Sequence, residues 1–189
     1  MIDIALKFLA TEMNAYLFAR TGSSLGGVAL GRLVDDTGKC AIKEQSLGAA
    51  LVNIDEERIL RSQVPDTVLV DGRQVMRQPE LKLNLTILVA ANFTQYDIAL
   101  RQLSWVVTFF QSHPGFSRDR NPGLDPRIER FTVELQSLTF EQLNQLWATV
   151  GGKQLPSVVY RLRLVAVQDV EPSAIHPPVT EIEQAVNVL

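Results

Sequence analysis

The sequence is poor in the residues that carry chemistry. One cysteine, Cys40, and two histidines, His113 and His176, stand in 189 residues. A lone cysteine closes no internal disulfide, and one thiol with two scattered imidazoles is a poor zinc set. Each histidine directly precedes a proline, outside any His-Glu-x-x-His spacing, and both read as loop or tail residues. Strong charge of one sign is missing too: 18 Lys and Arg against 21 Asp and Glu leave -3, which gives no general attraction to nucleic acid or to an anionic membrane. Long apolar runs are absent. Residues 81–93 are interrupted by Lys82, Asn84 and Thr86, and residues 96–110 by Asp97, Arg101 and Gln102, so neither reaches the roughly 20 apolar residues that cross a bilayer. Near the start, Asp3, Lys7 and Glu12 are scattered where a secretion signal would place a basic stretch before an apolar one. Assembly in the cytoplasm is the expectation.

What is present is an ordinary globular composition, 46% hydrophobic and 21% charged, long enough for one domain with a sizeable core. Residues 2–20 place Ile2, Ala5, Leu6, Leu9, Met13, Tyr16 and Leu17 at helical spacing, ending at the breaker run Thr21-Gly22-Ser23-Ser24. Residues 28–34 and 47–54 read as two short strands, a pair with the turn Asp36-Thr37-Gly38-Lys39 between them. Residues 67–76 are a clearer hairpin, with Val68, Leu69 and Val70 before Asp71-Gly72 and Val75-Met76 after it. Asp-Gly favours the left-handed backbone of a two-residue turn. Flanked by Pro65 and Pro79 and poor in large apolar residues, this hairpin is predicted to project from the body.

From residue 81 the pattern sharpens. Leu81, Leu83, Leu85, Ile87, Val89 and Phe93 alternate with Lys82, Asn84, Thr86 and Asn92, a strand with one buried face. A helix should follow, capped by Thr94 with Asp97 in the reciprocal position, with Tyr96, Leu100, Leu103, Val107 and Phe110 as its core stripe, broadened by Trp105 and Phe109. Pro114-Gly115 stops it, and residues 117–126 form a polar loop. Phe131, Val133 and Leu135 then mark a half-buried strand. Thr139 and Gln142 box the start of a short helix with the stripe Leu143, Leu146, Trp147 and Val150, closed by Gly151-Gly152. Residues 158–167 make the last strand, with Val158, Tyr160, Leu162 and Leu164 on one face and Arg161 and Arg163 on the other. The order predicts an α+β fold: an antiparallel or mixed β-sheet with helices packed on one face, a projecting hairpin and a C-terminal arm. Residues 1–170 are taken as the single domain and residues 171–189, with Pro172, Pro177 and Pro178, as the arm.

A search for catalytic constellations returns nothing. Cys40 has Lys39 and Lys43 nearby but no paired histidine, and reads as a small semi-buried residue. Gly22, Gly26, Gly27 and Gly31 lack the Gly-Lys-Ser/Thr ending of a phosphate loop. Asp35-Asp36 and Asp55-Glu56-Glu57 sit at strand ends, where solvated charge is the ordinary explanation. Arg118, Arg120, Arg127 and Arg130 interleave with Asp119, Asp125 and Glu129, a mixed-charge surface rather than a nucleic-acid stripe. The hairpin, the charged loop and the arm contribute little to the chain's own core, and extensions of that kind reach neighbouring molecules.

The run from Tyr96 through Val107 (Tyr-Asp-Ile-Ala-Leu-Arg-Gln-Leu-Ser-Trp-Val-Val), then Phe109-Phe110-Gln111, resembles the central helix of the DUF4255 family. Leu138-Thr139-Phe140-Glu141-Gln142-Leu143-Asn144-Gln145-Leu146-Trp147, the stretch from Gly151-Gly152-Lys153-Gln154-Leu155-Pro156 to Tyr160, and the opening Met1 to Leu9 fit in the same order. The least familiar parts are the Asp71-Gly72 hairpin and the residues after Pro172. The resemblance implies the cap, or tail terminator, of an extracellular contractile injection system. That implies a structural subunit, not an enzyme, without cofactor or metal, forming a six-fold ring on the end of an inner tube and gripping the last layer of the sheath. Its partners would be itself, the tube protein and the sheath protein, with no nucleic acid and no membrane insertion, in a particle that is released or membrane-associated. The contacts are then expected at Asp71, Gly72 and Arg73 of the hairpin and at Arg118 and Arg120 of the loop. Lys153 and Gln154 of the diglycine turn, and Ile175, Val179 and Ile182 of the arm, complete the set. Two other readings stay open: an adaptor or tube-end protein of the same particle, and a small-molecule-binding module, which would need converging polar groups in a pocket.

Overall fold

The computed structural model describes residues 1–22, 26–57, 66–70, 73–77, 81–166 and 174–176. Its elements, in chain order, are α1 (Ile2–Thr21), β1 (Val28–Leu30), β2 (Ser46–Glu56), β3 (Asp66–Val70), β4 (Arg73–Arg77), β5 (Leu81–Asn92), α2 (Tyr96–Ser112), β6 (Gly115–Ser117), β7 (Ile128–Gln136), α3 (Phe140–Val150), β8 (Ser157–Ala166) and β9 (Ala174–His176). Six strands form one sheet in the order β1-β2-β5-β8-β7-β6, and β3-β4-β9 form another. The first sheet is antiparallel throughout except for the β1–β2 pair. This is the expected α+β class with a mixed sheet.

Period-two alternation governs the three central strands. Leu85, Ile87, Val89 and Ala91 of β5, Tyr160, Leu162 and Leu164 of β8, and Phe131 and Val133 of β7 turn to one face and form the main core with α1 and α2. In α1, Ala5, Leu6, Leu9, Ala10, Met13 and Leu17 are buried, and Gly22, at φ 64, ends the helix by giving its N–H to the Phe18 carbonyl. Only glycine takes that left-handed backbone cheaply. An aromatic group fixes α1 to the far strands: Phe8 meets Phe116 and Phe131 edge-on at 5.8 and 6.1 Å, and those two stack at 4.9 Å.

The helix layer is more divided than the alternation suggested. α1 and α2 cover one face, but α3 lies on the other, where Trp147 packs with Leu88 and Ala90 of β5, Val159 of β8, and Leu33 and Ile42. β5 is therefore buried on both faces in its second half, and not on one face along its length. The apolar residues at 88 and 90 carry that signal, because they interrupt the polar set at 82, 84 and 86.

Four local expectations are corrected. The segments at 28 and 47 do pair, but in parallel, because the turn at 36–39 closes only its own bridge, Val34 to Cys40. There the Asp35 carboxylate accepts the Thr37 hydroxyl and the Thr37 and Lys39 N–H groups, which hold it below the usual carboxylate range, the Thr37 hydroxyl most of all. The returning chain buries Leu33 and Ile42 over Gly48, where an added Cβ would lie 2.6 Å from Ile42 Cγ1. Second, Cys40 is exposed, not semi-buried. Third, the N-cap of α2 is Gln95 without a side-chain bond, because the Thr94 hydroxyl instead accepts Gln45 Nε2 at 2.9 Å. Fourth, the buried stripe of α2 is Ala99, Gln102, Leu103, Val106, Phe109 and Phe110, while Tyr96 and Leu100 are 66% and 44% exposed. The helix is rolled so that Gln102 fits beneath Gly26, where a Cβ would come within 2.9 Å of it.

One polar clamp ties α1 to the sheet edge. Asn14 donates from Nδ2 to the Val28 carbonyl at 3.0 Å and accepts the Val28 N–H on Oδ1 at 2.7 Å. Asn14→Ala leaves both backbone groups of Val28 unmet. It is expected to cost about 2 kcal/mol, read as a lower denaturant midpoint at unchanged slope.

Candidate assembly interface

The predicted contact residues fall on separate parts of the molecule. Asp71, Gly72, Val179 and Ile182 lie outside the described residues. Arg73 opens β4, and the register of β3 with β4 leaves two residues between Val70 and Arg73, as a hairpin of that length requires. Ile175 lies in β9 opposite Val75. Part of the expected arm thus forms the third strand of the hairpin's sheet.

Arg118 and Arg120 are exposed in the connection from β6 to β7. That connection is built, not loose. Arg118 gives its guanidinium to the Pro126 carbonyl, the Arg120 and Asn121 N–H groups return to the Ser117 carbonyl at 3.1 and 2.9 Å, and Leu124 is buried as an apolar anchor. Arg127 meets the Asp125 carboxylate through Nε and Nη2 at 2.9 and 3.0 Å, and its N–H adds a third bond. The side-chain bonds first, and the backbone bond after them, hold the Asp125 carboxyl well below its usual range.

Lys153 and Gln154 are exposed just past α3. The helix start carries the predicted box, with Thr139 Oγ1 accepting the Gln142 N–H at 3.2 Å and Gln142 Oε1 accepting the Thr139 N–H at 3.0 Å. Gly151, at φ 81, ends it, and Gly152 lies against Val34, where a Cβ would be 2.5 Å from Cγ2. The turn is therefore needed for packing whatever else it touches. It precedes β8, whereas Arg118 follows the strand whose partner in β7, Arg130, pairs with Val165 near the far end of β8. At ~3.3 Å per residue the two groups are about 30 Å apart along the sheet and do not make one site.

Sequence alternation missed the exposed apolar residues. Leu135 continues the buried face of β7 yet is 53% exposed, and Leu138 and Phe140, just beyond it, are 36% and 93% exposed. Ile54 on β2 is 49% exposed. A hydrophobic residue in alternation reads as core whether or not another layer covers it, so only the position of Phe140 in the first turn after the Thr139 cap hinted at exposure.

Among the described residues no cluster of three or more His, Cys, Asp or Glu could hold a metal, and no helix is long and apolar enough to cross a membrane. Tyr160 has its phenol pushed up to about 12 by burial, with the ring of Phe110 4.3 Å away. His113 stacks on Phe109 at 4.9 Å at the end of α2. Both belong to packing.

Comparison with known proteins bears on the fold and the family. The chain covers its full length, and 64% of the other chain, in a match to the sheath/tube terminator of an extracellular contractile injection system, PVC, in the extended state, at 16% identity and a TM-score of 0.68. It matches the tube-terminating cap of the anti-feeding prophage over 94% of its length and 60% of that chain, at 15% identity and a TM-score of 0.60. The chain thus spans a little under two thirds of these structures, and the likeness is one of fold. No curated protein matches the sequence. The model of the Pvc16 N-terminal domain covers residues 6–181, and the chain belongs to that family.

Proposed function

We propose that this protein is a structural terminator, a non-enzymatic subunit that closes the end of the tube and sheath of a contractile injection particle. The observation that carries the proposal is family membership over nearly the whole chain, joined to a shared fold with two tube terminators. The surface is consistent with it: exposed apolar side chains and ordered charged loops serve contacts, and no metal-binding cluster occurs among the described residues. In this reading copies of the chain form a six-membered ring that contacts the tube protein and the sheath protein. Residues 1–170 are the ring-forming domain, and residues 171–189 an arm whose first part is tied to the hairpin through β9. The candidate contacts are Asp71, Gly72, Arg73, Arg118, Arg120, Lys153, Gln154, Ile175, Val179 and Ile182.

The test is the mass of the protein in solution, alone and mixed with the tube and sheath subunits of its particle. A species of ring size, alone or formed on mixing, is the expected result. A strict monomer indifferent to both partners would refute the terminator reading.

A further inference from the structure

Among the described residues, most of the large apolar side chains left exposed gather at one end of the body: Tyr96 and Leu100 on α2, Leu135 on β7, and Leu138 and Phe140 just beyond it. The topology brings them together. β5 and β7 both pair antiparallel with β8, so they finish at the same end of the sheet, and α2 starts there after residues 93–95. One flank of α2 faces α1, where Phe109 meets Tyr16 at 5.3 Å and Trp105 takes the Arg20 guanidinium at 5.6 Å. Tyr96, Leu100 and the half-buried Val107 lie on the opposite flank, about 180° around a helix of 3.6 residues per turn.

That flank overlooks the end of β7. Phe110, on the same side of the buried stripe, reaches Tyr160 at 4.3 Å, and Tyr160 pairs with Leu135. Leu135 shares the face of Phe131 and Val133, which belong to the core under α1 and α2. Toward the end of the sheet, Val107, Leu100 and Tyr96 on the helix run alongside Leu135 and Leu138 on the strand side. The result is an apolar trough ~16 Å long, the rise of a helix from residue 96 to 107, left open by the described elements.

One segment of this chain has the matching pattern. Ile182, Ala185, Val186 and Leu189 recur at i, i+3, i+4 and i+7, with Gln184 and Asn187 on the other side. Thr180 and Glu183 have the spacing of a capping box. Anchors at that spacing are how a short helix lies in a groove, and a helix from 181 to 189 rises ~13 Å, within the length of the trough. So short a helix is marginal by itself and needs the surface it covers.

The trough of the same copy is out of reach. β4 leads into β5, and β9 runs antiparallel to β4 with His176 opposite Gln74, so β9 heads away from the main sheet. The sheet it joins packs on itself rather than on the body. Returning from Gln74 to Ile87, which is in line with Leu135 through Tyr160, takes ~40 Å of strand. Residues 177–181 reach at most ~17 Å. The receptor that remains is a neighbouring copy.

We propose that residues 179–189 of one copy dock as an amphipathic helix in the trough between α2 and the end of β7 of the next copy. Tail and trough are different surfaces, as a head-to-tail ring contact requires, in contrast to the self-matching patch of a two-fold dimer. The contact rests on the ring reading above and names the surface that receives the arm.

A synthetic peptide of residues 177–189, titrated calorimetrically into the full-length protein, tests the site without the ring. Saturable binding is expected, weakened about tenfold, equivalent to ~1.4 kcal/mol, by Leu100→Lys or Leu135→Lys. Phe18→Lys, at a similarly exposed apolar position on α1, should leave it unchanged. In rings assembled with the tube and sheath subunits, a photoreactive side chain at position 182 should crosslink to residues 96–107 or 135–140. Mixing isotopically light and heavy protein should show that the two ends of each crosslink come from different copies. Rings of normal mass, with no peptide binding and crosslinks elsewhere, would overturn the docking while leaving the terminator intact. Crosslinks confined to single copies would overturn the exchange between neighbours. Peptide binding without any multi-subunit species, both partners present, would support the docking site and refute the ring reading.

Discussion

Phe131→Ala is expected to lower stability by about 3–5 kcal/mol, the range for removing a large aromatic from a packed core. Phe131 is 1% exposed at the centre of the main core. It stacks on Phe116 of β6 and takes the edge of Phe8 of α1, so one ring joins the first helix, an interior strand and the edge strand. Its replacement opens a cavity bounded by three elements that are far apart in sequence and cannot close together. At ~2–4 °C per kcal/mol for a domain of this size, the melting temperature should fall by roughly 10 °C. Calorimetry or a denaturant titration decides it. A loss below about 1 kcal/mol would mean that the aromatic group is not shared between these elements.

Trp147→Ala should cost a similar amount, about 3–5 kcal/mol, but its effect should be local. Trp147, 4% exposed, is the one fully buried residue of α3. It holds the helix on Leu88, Ala90 and Val159, with Leu33 and Ile42 beside it. An 11-residue helix is marginal on propensity alone, so its caps do not keep it in place once the anchor is gone. Hydrogen exchange should show α3 and residues 33–42 opening while α1, α2 and the face beneath them stay protected. Trp147→Phe should recover most of the loss, because the indole Nε1 has no hydrogen-bond partner among the described residues. Uniform deprotection of both faces would show instead that the two clusters unfold as one unit.

The difference between these two substitutions marks where reading the sequence stopped. The α+β class, the three helices, the central strands and the hairpin were legible because each rests on a local rule. Leucines at period two make β5, Thr139 and Gln142 box α3, Gly22 and Gly151 end helices, and Asp71-Gly72 separates strands of equal length. Side of packing was not legible. The stripe on α3 states that the helix buries Trp147 but not against which face, and Leu88 and Ala90 acquire meaning only when something lies over them. The roll of α2 is a second case. Tyr96 and Leu100 are exposed while Ala99 and Gln102 are buried, so apolarity along the helix does not by itself set its roll.

The surface follows the same division. Two histidines, one cysteine without ligand spacing, and interleaved charges of both signs lowered the expectation of zinc, thiol and nucleic-acid chemistry. The order of motifs was enough to suggest the family. Tertiary structure decided which apolar residues stay uncovered. Ile54 lies past a register irregularity in β2 and Leu135 near the end of β7, and both are half-exposed beyond the rows where the three-residue strands β1 and β6 pair. Strand length and pairing are properties of the whole sheet, fixed by contacts between residues far apart in the chain, so no local pattern could have carried them.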